Sequence, residues 1–226
     1  MPFPGPAAAG LSADDGSNPA RAQRLLVLGG ARSGKSAYAE RVLAGEPEVV
    51  YAATAPRYEG DAEWAERIER HRRQRPSAWR TEEVAAHPAA LTELLRGDGP
   101  PALIDCLTLW LTAAMDHADA WNEEAWRSGR AAGALAEGVE ELVAAFRESP
   151  RRIVAVSNEV GFGLVPESPG TRRFRDELGR LNQAFAAAAD SVLLVVAGLP
   201  VVLKAADGAM TATTVTTATT AVTQLG

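Results

Sequence analysis

The stretch Gly29-Gly30-Ala31-Arg32-Ser33-Gly34-Lys35-Ser36 stands between an apolar run, Leu25–Leu28, and a segment patterned as a helix. It fits G-x4-G-K-[ST], a pattern that restricts the fold more than any other feature of the chain. The glycines let the backbone wrap closely and turn its N–H groups towards phosphate oxygens. A helix beginning near Gly34 adds its positive dipole end at the same place. Lys35 is then placed to reach the β- and γ-phosphates of a nucleoside triphosphate such as ATP or GTP, and the Ser36 hydroxyl to ligate Mg2+. The plainer alternative is a glycine-rich turn with a chance lysine. The chain holds 21 arginines but only two lysines, Lys35 and Lys204, so a lysine inside this loop is not its ordinary choice of cation.

Around the loop, short apolar runs alternate with helical patterns. Leu25–Leu28, Val49–Ala53, Ala102–Cys106, Ile153–Val156 and Val192–Val196 are apolar on both faces and read as buried strands. Leu135, Val139, Leu142, Val143 and Phe146 form one helical face, and Phe174, Leu178, Leu181 and Phe185 another. Strands interleaved with helices predict a mostly parallel α/β sheet with right-handed crossovers. Val201–Leu203, following Val196 across Gly198 and Pro200, predicts an antiparallel edge hairpin. The expected organisation is a disordered leader over 1–22, one catalytic domain over 23–204 and a mobile Ala/Thr-rich tail over 205–226.

A phosphate loop of this kind works with an acid at the end of another buried strand. Asp105, in Ala-Leu-Ile-Asp-Cys, is the candidate second metal ligand; a helix cap or a turn aspartate is the alternative reading. A further candidate lies on a predicted helix over 61–75, ended by Pro76. Glu63–Arg67, Glu66–Arg70 and Glu69–Arg73 are i,i+4 pairs, whereas Arg72 and Arg75 have no acid on that helix to neutralise them. His71 shares a face with Trp64 and Ile68. A neutral imidazole among arginines suits attack on phosphorus, although a histidine at the margin of a buried face is the commoner arrangement.

The net charge of −6 disfavours a general nucleic-acid or anionic-membrane surface. One cysteine, Cys106, precludes an internal disulfide framework and fits a cytoplasmic protein. His71, His87 and His117 have no metal-ligand spacing.

Taken together, GGARSGKS at Gly29–Ser36, YAAT at Tyr51–Thr54, ERIERHRRQRPSAWRTEE at Glu66–Glu83, LIDCLTLWL at Leu103–Leu111 and SNEVGFGLVPESPGTRRFRDELGRLNQAFAAAAD at Ser157–Asp190 resemble the bifunctional adenosylcobinamide kinase/adenosylcobinamide-phosphate guanylyltransferase family. The resemblance runs from about Leu25 to Lys204. It implies a P-loop NTPase fold of RecA-like type and a two-step chemistry. ATP or GTP phosphorylates the aminopropanol hydroxyl of adenosylcobinamide. GTP then gives GMP to a histidine, from which adenosylcobinamide phosphate takes it to form adenosylcobinamide-GDP. By this resemblance the guanylylated histidine is His71. The nucleotide-contacting positions are Gly29 to Ser36, Thr54, Ala55, Pro56, Arg72, Arg73, Gln74, Arg75, Glu83 and Asp105, and the assembly is a homotrimer. Members carry Ser-Gln where Ala55-Pro56 stand, and several carry Glu at Asp105. Asn158, Glu159 and Gly161, just past a strand end, are candidate contacts for the corrinoid or its phosphate; a turn with a helix cap is the alternative. Trp110, Trp121 and Trp126 could serve either a subunit interface or the core. Two rivals remain at this point: a simple P-loop kinase with a structural His71, and a nucleotide-dependent switch or motor.

Overall fold

The structure, a computed structural model, describes residues 23–55, Glu66 and 75–206. The expected leader and all of the expected tail beyond Ala206 lie outside the described residues. So does the predicted 61–75 helix, apart from Glu66 and Arg75.

Seven strands form one sheet: β1 (Arg24–Gly29), β2 (Val50–Ala53), β3 (Arg80–Glu83), β4 (Ala102–Asp105), β5 (Ile153–Asn158), β6 (Ser191–Val196) and β7 (Leu199–Lys204). Their order is β3-β2-β4-β5-β1-β6-β7. Every neighbouring pair is parallel except β6 with β7, which pair antiparallel as the expected edge hairpin. The connecting helices are α1 (Lys35–Leu43), α2 (Pro88–Arg96), α3 (Leu107–His117), α4 (Glu123–Arg127), α5 (Arg130–Glu148) and α6 (Pro169–Ala188). This is the expected mostly parallel, helix-flanked sheet, with β5 inserted between the phosphate-loop strand β1 and the acid-bearing strand β4.

The strands read as unbroken apolar runs because both sheet faces are covered. Leu26, Leu28, Ala52 and Ile104 pack with α2, α3, α5 and α6, through Leu91, Leu111, Phe146, Leu178 and Phe185 among others. Leu25, Val27, Tyr51, Leu103, Val154 and Val156 point the other way and pack with Ala39 and Leu43 of α1 and with Trp79. Both predicted helical faces are turned inwards: Leu135, Leu142, Val143 and Phe146 are buried, as are Leu178, Leu181 and Phe185. Phe146 and Phe185 meet with ring centroids 4.6 Å apart.

The first strand lies inside the sheet; the chain leaves it for the β2–β3 edge, returns through β4 and β5 to its side, and crosses it to β6 and β7. Parallel pairing brings the carboxyl ends to one rim: Gly29 is level with Asn158 and Val195, and Ala53 is level with both Glu83 and Asp105. Open α/β sheets bind ligands in the crevice at such a switch point.

Candidate active site

Gly34 is the N-cap of α1 at φ 94°, and no side chain among the described residues caps the helix. The amides of the first turn therefore have no side-chain cap and face the loop, an arrangement that suits phosphate oxygens. A Cβ on Gly34 would also come within 3.2 Å of the Gly198 backbone. Gly29 is required by crowding instead: a Cβ there would lie 2.4 Å from Ser33 Oγ and 2.7 Å from the Val195 carbonyl oxygen. The loop is pinned from outside by the β6–β7 turn, where the Gly198 amide donates to the Ser33 carbonyl at 2.8 Å. Lys35 is 8% exposed, and its Nζ donates to the Gly30 carbonyl at 3.0 Å, folded back over the loop it belongs to.

Asp105 ends β4 opposite the loop. Tyr51 Oη donates to its Oδ2 at 2.7 Å, and Ser36 Oγ reaches its Oδ1 at 3.4 Å. The latter is a long contact for two oxygens. A cation accepting both would replace it, and Mg2+ commonly takes one or two hard protein oxygens and completes its shell with water and phosphate. Ser36 and Asp105 therefore fit the metal-holding roles expected of them. Burial, then the Asp105 charge, raises the Tyr51 phenol well above its ordinary pKa, so the hydroxyl remains a donor.

Arg75 comes to the same place. Its guanidinium carbon lies 3.2 Å from the centroid of the Tyr51 ring, and its Nε is 3.7 Å from Glu40 Oε1. The acid missing from its own segment is supplied by α1, which corrects the expectation that Arg75 has nothing to neutralise it. Burial raises the Glu40 carboxyl, Arg75 opposes that, and the Asp105 charge adds to it.

These groups surround a cavity of about 390 Å3 at the strand rim. Ala31, Arg32, Lys35, Ser36, Ala55, Arg75, Asp105, Asn158 and Glu159 line it, all of them expected at the site. Tyr51, Ala53, Cys106, Leu109 and Val160 also line it, beyond the expected residues. Tyr51 carried a signal, a hydroxyl inside an otherwise apolar strand; Glu40 carried another, since it sits one helical turn from Ser36. Burial, then the Asp105 charge, pushes the Cys106 thiol up to about 11, which makes it a poor nucleophile.

Other expected residues have different positions. Gly29, Gly30, Ser33 and Gly34 shape the loop without lining the cavity. Thr54 is fully buried and its hydroxyl is spent on Cys106, donating to the carbonyl at 2.8 Å and accepting from the amide at 2.6 Å. Glu83 ends β3, one strand beyond β2, and is not among the cavity residues. Asn158 Nδ2 donates to Thr108 Oγ1 at 2.9 Å, and Glu159 Oε1 accepts from the Gly161 amide at 2.6 Å. Gly161 thus shapes the turn rather than the cavity wall. His71, Arg72, Arg73, Gln74 and Pro56 lie outside the described residues. Trp110 belongs to the core, at 2% exposure, whereas Trp121 is 40% exposed and stacks on Phe174 with centroids 6.2 Å apart.

Known proteins resemble the chain over most of its length. The family described as cobinamide kinase/cobinamide phosphate guanyltransferase matches residues 25–203. The Escherichia coli K12 bifunctional adenosylcobalamin biosynthesis protein CobU is 42% identical over 184 residues, covering 80% of this chain and 99% of that protein. The Pseudomonas aeruginosa bifunctional adenosylcobalamin biosynthesis protein CobP is 43% identical over 184 residues, covering 80% of this chain and 97% of that protein. Among solved structures, a prototypical ATPase from the type III secretion system of pathogenic bacteria aligns with a TM-score of 0.45 and 15% identity, over 76% of this chain and half of its own length. The chain belongs to the cobinamide kinase/cobinamide phosphate guanylyltransferase family.

Proposed function

We propose that the chain carries out both reactions its family is named for, on adenosylcobinamide, with residues 23–204 as the catalytic unit. The observation that carries this reading is the convergence of Lys35, Ser36, Asp105 and Arg75 on one cavity beside an uncapped helix N-terminus. In the kinase step the acceptor hydroxyl oxygen attacks the γ-phosphorus of ATP or GTP. The bond to the bridging oxygen breaks, the nucleoside diphosphate leaves and the hydroxyl proton is released. Lys35 and the loop amides neutralise the phosphate charge, and positioning supplies most of the rate. Ser36 and Asp105 would hold Mg2+, which would supply further neutralisation of the phosphate charge.

In the transferase step a nitrogen of His71 attacks the α-phosphorus of GTP and pyrophosphate leaves. An oxygen of adenosylcobinamide phosphate then displaces the imidazole, giving adenosylcobinamide-GDP. Two in-line displacements replace one difficult encounter, and GMP stays bound between them. Arg75, four residues after His71, supports the assignment because it lines the same cavity. The reading also counts Thr54, Ala55, Pro56, Arg72, Arg73, Gln74 and Glu83 among the nucleotide contacts, as the family resemblance implies. Asn158 and Glu159, which line the cavity, would meet the acceptor. The same reading has the protein act in the cytoplasm as a homotrimer, which sedimentation would register as three times the chain mass.

GTP labelled at the α-phosphate, and separately at the γ-phosphate, tests the reading. Only the α-label is expected on denatured protein, lost in acid, stable in alkali and absent from His71→Ala. A folded, GTP-binding protein that takes up no α-label would leave a kinase alone.

A further inference from the structure

A cavity of about 390 Å3 is small among ligand pockets. It has room for a polyphosphate and an acceptor's arm, but not for a corrin macrocycle as well. The ring would then rest on surface beside the open mouth, at the end where the phosphoryl group is transferred. Ser36 and Asp105 mark that end. Because β5 lies between β4 and β1, the loop leaving β5 borders it.

That loop is attached to the site at its root. The Glu159 amide donates to the Gly29 carbonyl at 3.1 Å, and Asn158, Glu159 and Val160 line the cavity. Beyond them Phe162, Leu164 and Val165 are 85%, 96% and 72% exposed. Their backbone is braced from α6: Arg175 donates to the Gly161 and Leu164 carbonyls at 2.5 and 2.7 Å, and Arg172 to the Pro166 carbonyl at 2.9 Å. Exposed apolar groups held on a braced backbone mark a contact surface. Val196 and Leu199 are exposed near the same rim. They flank the β6–β7 turn on the far side of β1 from Asp105, away from the transferred group.

We propose that Phe162, Leu164 and Val165 form the platform on which the apolar face of the corrin ring rests while its aminopropanol arm enters the cavity past Glu159. This rests on the acceptor assigned above. The test is equilibrium dialysis of adenosylcobinamide, a coloured ligand, against the full-length protein and a Phe162→Ser/Leu164→Ser variant, with α-labelled GTP uptake measured on both. Corrinoid affinity is expected to fall about ten-fold or more, the loss of one large apolar contact or more, with guanylylation unchanged. Phe162→Leu, which keeps apolar bulk, should retain most of the affinity. Equal affinity in the double variant would overturn the platform and leave the proposed function standing. Lost guanylylation would overturn it by placing the loop in the nucleotide's site. A changed sedimenting mass would do so by assigning the loop to contacts between copies of the chain. Absence of corrinoid binding by the wild-type protein would remove both the platform and the assigned acceptor.

Discussion

Asp105 has two oxygens with different partners: one faces Ser36, and the other is held by the Tyr51 hydroxyl at 2.7 Å. A carboxylate tethered on one side presents its other oxygen in a fixed direction, which a metal-holding group requires. Tyr51 is itself fixed, buried in the sheet with the Arg75 guanidinium over its ring. Tyr51→Phe keeps the ring and that stack but removes the tether. One hydrogen bond of this kind contributes about 1 kcal/mol, so the Mg2+ concentration giving half-maximal γ-phosphate transfer should rise roughly five-fold. Mn2+ affinity of the nucleotide complex, read by electron paramagnetic resonance, should fall by a similar factor, with little change in nucleotide affinity measured without metal. An unchanged metal requirement would reduce Tyr51 to a packing residue. Little of this arrangement was legible beforehand. Lys35, Ser36 and Asp105 announce themselves through contiguous motifs and a strand-end position. The Glu40–Arg75–Tyr51 set joins three separate segments, and the local signals at Tyr51 and Glu40 do not show that the three side chains meet.

Strands covered on both faces declared themselves by composition, which is why β1, β2, β4, β5 and β6 were readable as apolar runs. β3 was not: Arg-Thr-Glu-Glu at Arg80–Glu83 is a polar edge strand, paired among the described residues only to β2. Its formation depends on backbone pairing that no side-chain pattern reports. α2 carries one sign in its sequence, a proline in its first turn after His87. Polar ties between elements were equally silent. The Arg24 guanidinium and amide grip Asp190 through three hydrogen bonds of 2.8 to 3.2 Å, joining the start of β1 to the α6–β6 turn. Burial pushes the Asp190 pKa up, but the Arg24 hydrogen bonds and charge, helped by Lys204, outweigh it and hold the carboxyl below its ordinary 3.8. A depressed carboxyl stabilises the fold above its unfolded pKa, and that stability is lost as pH falls through the folded value. Asp190→Asn should therefore cost about 1–2 kcal/mol at pH 7, discounted for partial exposure. The gap between wild type and variant in urea midpoints should narrow below about pH 4. A gap that stays constant down to pH 3 would assign the loss to packing rather than charge.

Across the molecule, a chain of net charge −6 gathers Arg32, Lys35 and Arg75 around one cavity at the carboxyl rim. Arg32 and Lys35, beside the loop amides, favour an anionic nucleotide at that rim, while the net charge disfavours a general polyanion-binding surface. Every described residue that builds the rim lies within 23–206, and both ends of that span are tied down. The Ile153 amide donates to the Gln23 carbonyl at 2.7 Å, and Gln23 Nε2 to the Pro150 carbonyl at 3.2 Å. At the other end Lys204 Nζ donates to the Ala186 and Ala189 carbonyls at 3.2 and 2.5 Å, satisfying the C-terminus of α6. The family match likewise spans 25–203. A chain trimmed to 23–206 should thus melt within a few degrees of the full protein. It should also answer Mg2+ and GTP equally. A ligand at a hundred times its dissociation constant stabilises the native state by about 2.7 kcal/mol, or roughly 5–10 °C for a domain of this size. Calorimetry of both chains with and without nucleotide, paired with α-label uptake, decides the matter. Equal shifts and equal labelling would confine catalysis to the sheet and its rim. A trimmed chain that melts normally but loses the nucleotide shift would show that a terminal segment completes the site.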